Sequence, residues 1–441
     1  MNERETLKIN HNGHLEIGGA DCVALAKQFG TPLYVFDENY IRKMMNIFRD
    51  TLKNYKGGGK VLYASKAFSC KAIYRIAAQE NIGIDVVSGG ELYTALQANF
   101  PAENICMHGN NKLDYEIGEA LDAGVGLIVA DAYSEIDKID LEAQKRGICQ
   151  PILLRINPGI EAHTHAYVQT ATTDSKFGFS IQNGEAEKIT LYAQEKKNLR
   201  LLGYHCHIGS QIFEKQSFVL AAEMCMDFAA KMREKHGFIL KTLNLGGGFG
   251  VWYTDEDKKI SADGYAEYVD ALTQTIEAKA KLYKMDLPYL LLEPGRSIIA
   301  EAGVTLYTVG AIKNIPNVKK YVAIDGGMFE NPRYALYQSK YTPIAANNAN
   351  AEPTQTVSIA GKCCESGDII AVDVELPDVQ AGDILAVLST GAYNYSMAMN
   401  YNRNKIPPCV LVNEGVAEYI VRPQTYEDLV RNDLIPERLK K

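Results

Sequence analysis

The sequence predicts an α/β protein: a (β/α)8 TIM-type barrel joined to a smaller, mainly antiparallel β-barrel or sandwich domain. Three observations predict it. From about residue 34 to residue 293, short apolar runs of strand length alternate with longer amphipathic stretches, and that alternation means parallel strands joined by helical crossovers. Eight strand-length runs follow a leading pair of elements within roughly 250 residues, the size of a (β/α)8 barrel. A doubly wound sheet makes the same alternation, so the third observation is positional. Reactive side chains stand just past the C-terminal ends of seven runs, and a barrel gathers those ends into one rim.

The leading pair is the apolar Tyr34-Val35-Phe36 and a helix over 38–52. The eight strands are predicted at 61–64, 84–87, 105–108, 127–130, 152–156, 202–207, 242–245 and 289–293. Helical periodicity covers 72–80, 90–99, 134–145, 215–236 and 262–282 between them. After residue 301 the texture changes: 304–310, 320–324, 356–360, 369–374, 384–387 and 418–421 are strand-like and separated by Gly, Pro and Asp, which predicts a β domain. Strand-like 7–9 and 14–17 are expected to join it, because chain ends often lie close together. The predicted division is therefore 34–301 for the barrel, with 1–33 and 302–441 for the β domain. The Ala- and Asn-rich stretch 345–353 reads as a loose surface loop.

The 441 residues carry 46 Lys+Arg against 54 Asp+Glu, a net charge of −8. With no Lys/Arg stripe, that balance argues against a nucleic-acid partner. At 46% hydrophobic and 23% charged, the composition is that of a folded globular protein. Acids at Glu3 and Glu5 and no apolar h-region predict no secretory signal, and no apolar run reaches the ~18–20 residues that span a bilayer. Nine scattered cysteines, an odd number, fit reduced thiols and a cytoplasmic location better than a disulfide framework.

The rim residues are Lys66, Asp85 with Ser88, His108, Arg155 with Asn157, His207 with Ser210, the glycines 246–248, and Glu293 with Arg296. Lys66 directly follows an apolar strand: it is either a solvated strand-end lysine or a partly buried amine suited to a Schiff base. Glu293 ends the apolar Tyr289-Leu290-Leu291-Leu292, where a carboxylate is costly unless paired. It caps a helix, pairs with Arg296, or holds a proton on a ring nitrogen. Gly246-Gly247-Gly248-Phe249-Gly250 offers bare amides for a phosphate or makes a plain tight turn. It lacks the following helix and distant acid of a dinucleotide fingerprint. His205-Cys206-His207 and His163-Thr164-His165 have metal-chelating spacing on a strand, but a metal hydrolase needs further His and Asp ligands, and among the remaining rim residues only His108 is available. Cys363-Cys364-Glu365-Ser366-Gly367-Asp368 is either two buried thiols or a proton-donating thiol beside an anchoring carboxylate.

Taken in order, the motifs resemble the fold-type III pyridoxal-phosphate amino-acid decarboxylases, and within them the diaminopimelate decarboxylase family, over nearly the whole chain. The carriers are Tyr63-Ala64-Ser65-Lys66-Ala67-Phe68, Asp85-Val86-Val87-Ser88-Gly89-Gly90-Glu91, Leu154-Arg155-Ile156-Asn157-Pro158-Gly159, and His163-Thr164-His165 with Asp174-Ser175-Lys176-Phe177-Gly178. They continue through His205-Cys206-His207-Ile208-Gly209-Ser210-Gln211, the glycines 246–248, Glu293-Pro294-Gly295-Arg296 and Gly326-Gly327-Met328. Asn331-Pro332-Arg333, Tyr337, residues 364–368 and Gly391-Ala392-Tyr393 complete the set.

The resemblance implies an alanine-racemase-like barrel, pyridoxal 5′-phosphate as cofactor, and release of carbon dioxide from meso-2,6-diaminopimelate to give L-lysine, the last step of lysine biosynthesis. It implies that Lys66 holds the cofactor as a Schiff base, that His207 stacks on its ring and that Glu293 pairs with the ring nitrogen. Ser210, Gly247, Gly248, Gly295, Arg296 and Tyr393 would hold its phosphate, with Asp85 and Arg155 completing the cofactor set. Arg296, Arg333 and Tyr337 would hold the substrate's distal carboxylate and Glu365 its distal amine, with Tyr393 also in the substrate set. Cys364 would be the acid that returns a proton. Cys364 and Glu365 would reach the neighbouring subunit's site, so the implied partner is a second copy of the chain, with no nucleic acid, membrane or metal. Two departures stand out: the bulky Phe249-Gly250-Val251-Trp252-Tyr253 after the glycines, and Cys363 beside Cys364. Alternatives are a carboxynorspermidine or other basic amino-acid decarboxylase of the same fold type, a non-catalytic partner protein, and a metal hydrolase.

Overall fold

A computed structural model describes residues 4–160 and 175–440. His163-Thr164-His165 and Asp174 lie outside the described residues. The chain folds as two compact units: one comprises Arg42–Trp252 and Asp257–Ile298, the other the N-terminal residues to Ile41, Tyr253–Glu256 and the chain from Ile299 on.

The first unit is a closed parallel barrel. Its strands are β1 (Gly59–Ala64), β2 (Gly83–Val86), β3 (Ile105–Met107), β4 (Leu127–Ala130), β5 (Gln150–Asn157), β6 (Leu199–His205), β7 (Thr242–Asn244) and β8 (Tyr289–Leu292). Each pairs in parallel with the next, β8 returns to β1 through Leu290 opposite Gly59, and β4 joins β5 through Ile128 opposite Ile152. All eight predicted strands are these strands, and the doubly wound alternative is excluded by closure. Buried Leu62, Cys106, Val129, Leu153 and Leu291, from five strands, pack as one cluster, the filled interior that makes such a barrel a core and not a pore. A register shift in β6 falls at Gly203, where a Cβ would lie 2.0 Å from the Thr242 carbonyl, so the bulge demands glycine.

Crossover helices start where capping residues stand. Ser88 accepts from the Glu91 amide at 3.2 Å, while the Glu91 carboxylate accepts from the Val87 amide at 2.7 Å, which caps the helix Gly89–Gln97. Ser88, counted at the rim from sequence, is a helix cap.

The second unit is built around the long strand Gly303–Ile315, which pairs antiparallel with Leu33–Asp37, Lys319–Ile324 and Ile384–Val387. The sheet is mixed: Leu33–Asp37 pairs in parallel with Cys409–Asn413, and Lys319–Ile324 with Gln355–Ala360. Leu33–Asp37, at the head of the segment read as barrel, is thus a strand of this sheet. The first residues pack here too, with Leu7, Leu15, Ile17 and Leu25 in one core with Val35, Val304, Leu306 and Val410. The expected loose loop at 345–353 is corrected. Pro343–Ala345 pairs with Ile384–Val387, and Ala346 and Ala349 are buried in that core, because small side chains fit where the sheet packs closely.

All nine cysteines are free thiols; Cys149 and Cys364 are exposed and the other seven buried. Among the described residues no helix is long and apolar enough to cross a membrane.

Candidate active site

The barrel strands deliver their reactive side chains at their C-terminal ends. Lys66 sits in the 3-10 turn Ser65–Ala67 directly after β1, Asp85 is in β2, and His108 follows β3. Arg155 is in β5, His205 ends β6 with His207 two residues on, and Glu293 follows β8. Lys66 is exposed, so the partly buried amine allowed by the sequence is corrected to an accessible one: the turn lifts it clear of the strand.

Glu293 is buried, and its charge is paid for by three donors. His108 Nε2 lies 2.7 Å and Asn244 Nδ2 2.6 Å from Oε1, while His205 Nε2 is 3.3 Å from Oε2. Burial pushes its proton affinity up, but the two imidazoles outweigh it and hold the carboxyl well below the ordinary glutamate value. It is a carboxylate at neutral pH. Of the roles open from sequence, pairing is the one observed, with the two imidazoles and Asn244 as partners of the carboxylate.

Around it the other groups are tuned in opposite directions. Burial and the nearby Glu293 charge push Asp85 well above the usual aspartate value, against the pull of the Lys66 ammonium. Asp85 Oδ1 also accepts from the Ser65 amide at 3.3 Å, which ties the lysine turn to β2. His207 is held well below the ordinary histidine value by burial and by the positive charges of Lys66 and Arg155, so it is a neutral ring. Its Nδ1 accepts from the Gly247 amide at 3.3 Å. Arg155 lies 4.1 Å over the Phe177 ring. Lys66, Asp85, Arg155, His207 and Glu293 therefore form one electrostatic cluster, as the rim positions predict.

The two histidines of His205-Cys206-His207 serve different partners, Glu293 and Gly247. Sulfur, nitrogen and oxygen of Cys106, His108 and Glu293 do lie within 4.8 Å of one another, but His108 Nε2 is the nitrogen already bonded to Glu293.

Main chain packs closely beside this cluster. A Cβ on Gly247 would lie 2.1 Å from the Glu293 carbonyl, and one on Gly295 2.7 Å from the Ala64 Cβ. No side chain fits, and the bare backbone stays open to an anion. Buried Arg296 donates from Nη2 to Ser210 Oγ at 2.9 Å, and the next hydroxyl, Ser297 Oγ, is buried with no hydrogen-bond partner among the described residues. The bulky continuation after the glycines is anchored: Phe249 stacks on Phe218 at 4.8 Å, and the Gln211 amide brackets the Val251 backbone at 2.7 and 3.2 Å.

The second unit carries its own set. Arg333 is buried, its guanidinium 5.2 Å from the Tyr337 ring and 5.0 Å from the Tyr393 ring, and its Nε has no hydrogen-bond partner among the described residues. Tyr393 holds a left-handed backbone at φ 72°, the kind of strain that surrounding structure must sustain. The preceding chain is fixed by buried Glu330, which accepts from Tyr307 at 2.8 Å and is pushed up to about 8 by burial. Asp368 accepts from the Met328 and Cys363 amides, each at 2.6 Å, and pins the cysteine turn. Cys363 is buried, its thiol pushed up to about 11 by burial and the Asp368 charge. Cys364 is exposed, its amide donating to Asn402 at 2.8 Å, and Glu365 is exposed beside it.

Asn244, and His108 and His205 as partners of Glu293, had escaped assignment from sequence. Their only signal is position: each ends or directly follows a barrel strand.

These groups fit pyridoxal phosphate. An accessible amine, a buried carboxylate kept anionic, a neutral imidazole and a side-chain-free cradle beside a buried guanidinium and an unpartnered hydroxyl are the donors and acceptors that its aldehyde, ring nitrogen, ring face and phosphate require. Residues 39–300 match the family described as pyridoxal-dependent decarboxylase, pyridoxal binding domain. The chain is 48% identical to the diaminopimelate decarboxylase of Bacillus subtilis over 97% of both chains, and 44% identical to that of Staphylococcus aureus over 97% of this chain and 99% of the other. The chain belongs to the diaminopimelate decarboxylase family. A family structure from M. jannaschii, in complex with L-lysine, superposes with a TM-score of 0.92 at 36% identity over 99% of each chain. More distantly, a lysine/ornithine decarboxylase of Vibrio vulnificus, at 24% identity and TM-score 0.74 over 89% of this chain and 97% of that one, shares the fold.

Proposed function

We propose that this chain removes carbon dioxide from meso-2,6-diaminopimelate to give L-lysine. The observation that carries the proposal is the ionised Glu293 at the barrel rim and the accessible Lys66, each near enough to act on Asp85. Family membership and the lysine complex of the M. jannaschii relative support it. When bound, pyridoxal phosphate supplies the electron sink for the pair left on the α-carbon.

The chain's residues would do the rest. The Lys66 amine would hold the cofactor through its aldehyde carbon. Glu293 accepts the ring N–H⁺, and neutral His207 offers an apolar face. Ser210, Arg296 and the amides around Gly247, Gly248 and Gly295, with Tyr393, hold the phosphate, and Asp85 and Arg155 complete the cofactor set. Arg333 presents a planar fork backed by two aromatic rings, which suits a carboxylate. With Tyr337 and Arg296 it selects the substrate's distal carboxylate, while Glu365 takes the distal amine. The exposed Cys364 thiol, unlike buried Cys363, delivers the proton to the α-carbon, and charge balances as carbon dioxide leaves.

The direct test loads purified protein with pyridoxal phosphate and offers meso-diaminopimelate, carboxynorspermidine, ornithine and lysine. Carbon dioxide and lysine should appear with the first alone. A substrate lacking the distal carboxylate leaves a buried guanidinium unpaired and should be slower by ~10^4-fold. Equal turnover of ornithine would overturn the substrate assignment.

The enzyme would act in the cytoplasm, as seven buried free thiols suit, and as a homodimer in which Cys364 and Glu365 complete the partner's site. Mixing inactive Lys66→Ala subunits with inactive Cys364→Ala subunits should then restore activity, up to about a quarter of wild type if subunits exchange randomly. No recovery after demonstrated exchange would mean self-contained sites.

A further inference from the structure

The clamp on Glu293 is asymmetric. A carboxylate oxygen has two lone pairs, and Oε1 already receives two short bonds, from His108 Nε2 at 2.7 Å and Asn244 Nδ2 at 2.6 Å. Among the described residues Oε2 receives one long contact, from His205 Nε2 at 3.3 Å. Asn244 does more than donate. Its Oδ1 accepts from the Gly246 amide at 2.9 Å, while the Glu293 amide donates to the Gly246 carbonyl at 2.7 Å. One amide side chain therefore braces the acid against the glycine turn. His205 is pushed down to about 4 by burial, so it is neutral and its Nδ1, buried with no partner among the described residues, is the unprotonated nitrogen when Nε2 carries the hydrogen.

We infer that His108 and Asn244 are positioning residues for Glu293: by saturating Oε1 they fix the plane of the carboxylate and leave Oε2 as the oxygen offered to the cofactor's ring N–H⁺. The inference rests on the function proposed above and deepens it. Asn244 further sets the spacing between the ring-nitrogen acid and the phosphate cradle, so one residue couples the two ends of the cofactor site. The titratable and charged groups that face Glu293 are His108, His205, His207, Asp85, Arg155 and Cys106.

The experiment reconstitutes apoprotein with pyridoxal phosphate and reads three quantities: the visible spectrum from pH 6 to 9, the cofactor dissociation constant, and the melting temperature of the apoprotein. The variants are His108→Leu, His108→Gln, which keeps a donor near the Nε2 position, and the isosteric Asn244→Asp. His108→Leu should weaken cofactor binding by about 10-fold or more and bring the ring-nitrogen titration into the pH window. His108→Gln should recover much of both. Asn244→Asp sets a second carboxylate against Oε1 and raises the proton affinity of Glu293, so it should move the spectral titration even if His108→Leu fails to fold. Wild-type spectra and affinity in His108→Leu or in Asn244→Asp would overturn the inference. Failure of wild-type protein to develop a lysine-dependent visible band would instead overturn the proposed function beneath it.

Discussion

Replacing Lys66 with alanine abolishes the visible absorbance of lysine-bound cofactor and lowers turnover by on the order of 10^3-fold or more. The expectation follows from how little else this side chain does. Lys66 is exposed in a turn whose shape is held by other groups: the Ser65 amide donates to Asp85, and Tyr63 Oη donates to the Phe68 carbonyl at 2.9 Å. The substitution removes no packing, so the melting temperature of the apoprotein should stay close to wild type, a change within about 0.5 kcal/mol. Chemistry loses far more. In the proposed role the amine would anchor the aldehyde carbon, and in the cofactor-free protein its positive charge opposes the raised proton affinity of Asp85. Absorbance, carbon dioxide release and melting are read on the same preparation. A variant that retains the band would move the anchor to another lysine, and one that retains turnover would remove the Schiff-base assignment altogether.

The barrel was legible because its strands are short apolar runs separated by amphipathic helices, and a run such as 127–130 is the length of a buried strand and too short for a helix. The rim was legible for a related reason: a charge directly after an apolar run is costly unless something at the strand end uses it. What sequence could not show was partnership. His108, Asn244 and Glu293 come from β3, β7 and β8, three strands far apart in the chain, and only closure of the barrel brings them within hydrogen-bond range. Leu33–Asp37 is buried along its whole length, so alternation cannot say which sheet it joins. The stretch 345–353 misled because Ala and Asn resemble loop composition, whereas here the small side chains permit close packing. Ser88 looked chemical beside Asp85, yet the glycines and Glu91 that follow it are the signature of a helix start.

Replacing Glu293 with glutamine should lower turnover by about 10^2- to 10^3-fold, through kcat more than KM, while the protein still folds and binds cofactor. Glutamine matches the shape but not the charge. Two donors face Oε1, so the new amide must place its oxygen there, still accepting from His108 and Asn244. Its NH2 then lies where Oε2 was, toward His205. That histidine is neutral at pH 7 and can move its proton to the unpartnered Nδ1, leaving Nε2 to accept, so the fold tolerates the change. Toward the cofactor, however, polarity is reversed: an NH2 donates to an unprotonated ring nitrogen and disfavours the protonated one. The electron sink weakens at the moment charge develops, so turnover falls further than cofactor affinity, which keeps the lysine and the phosphate cradle and weakens by about the 10-fold expected of His108→Leu. The same reversal should move the visible band and remove the protonated-ring form across pH 6–9. Turnover near wild type, with an unchanged spectrum, would show that the carboxylate at 293 is not the partner of the ring nitrogen.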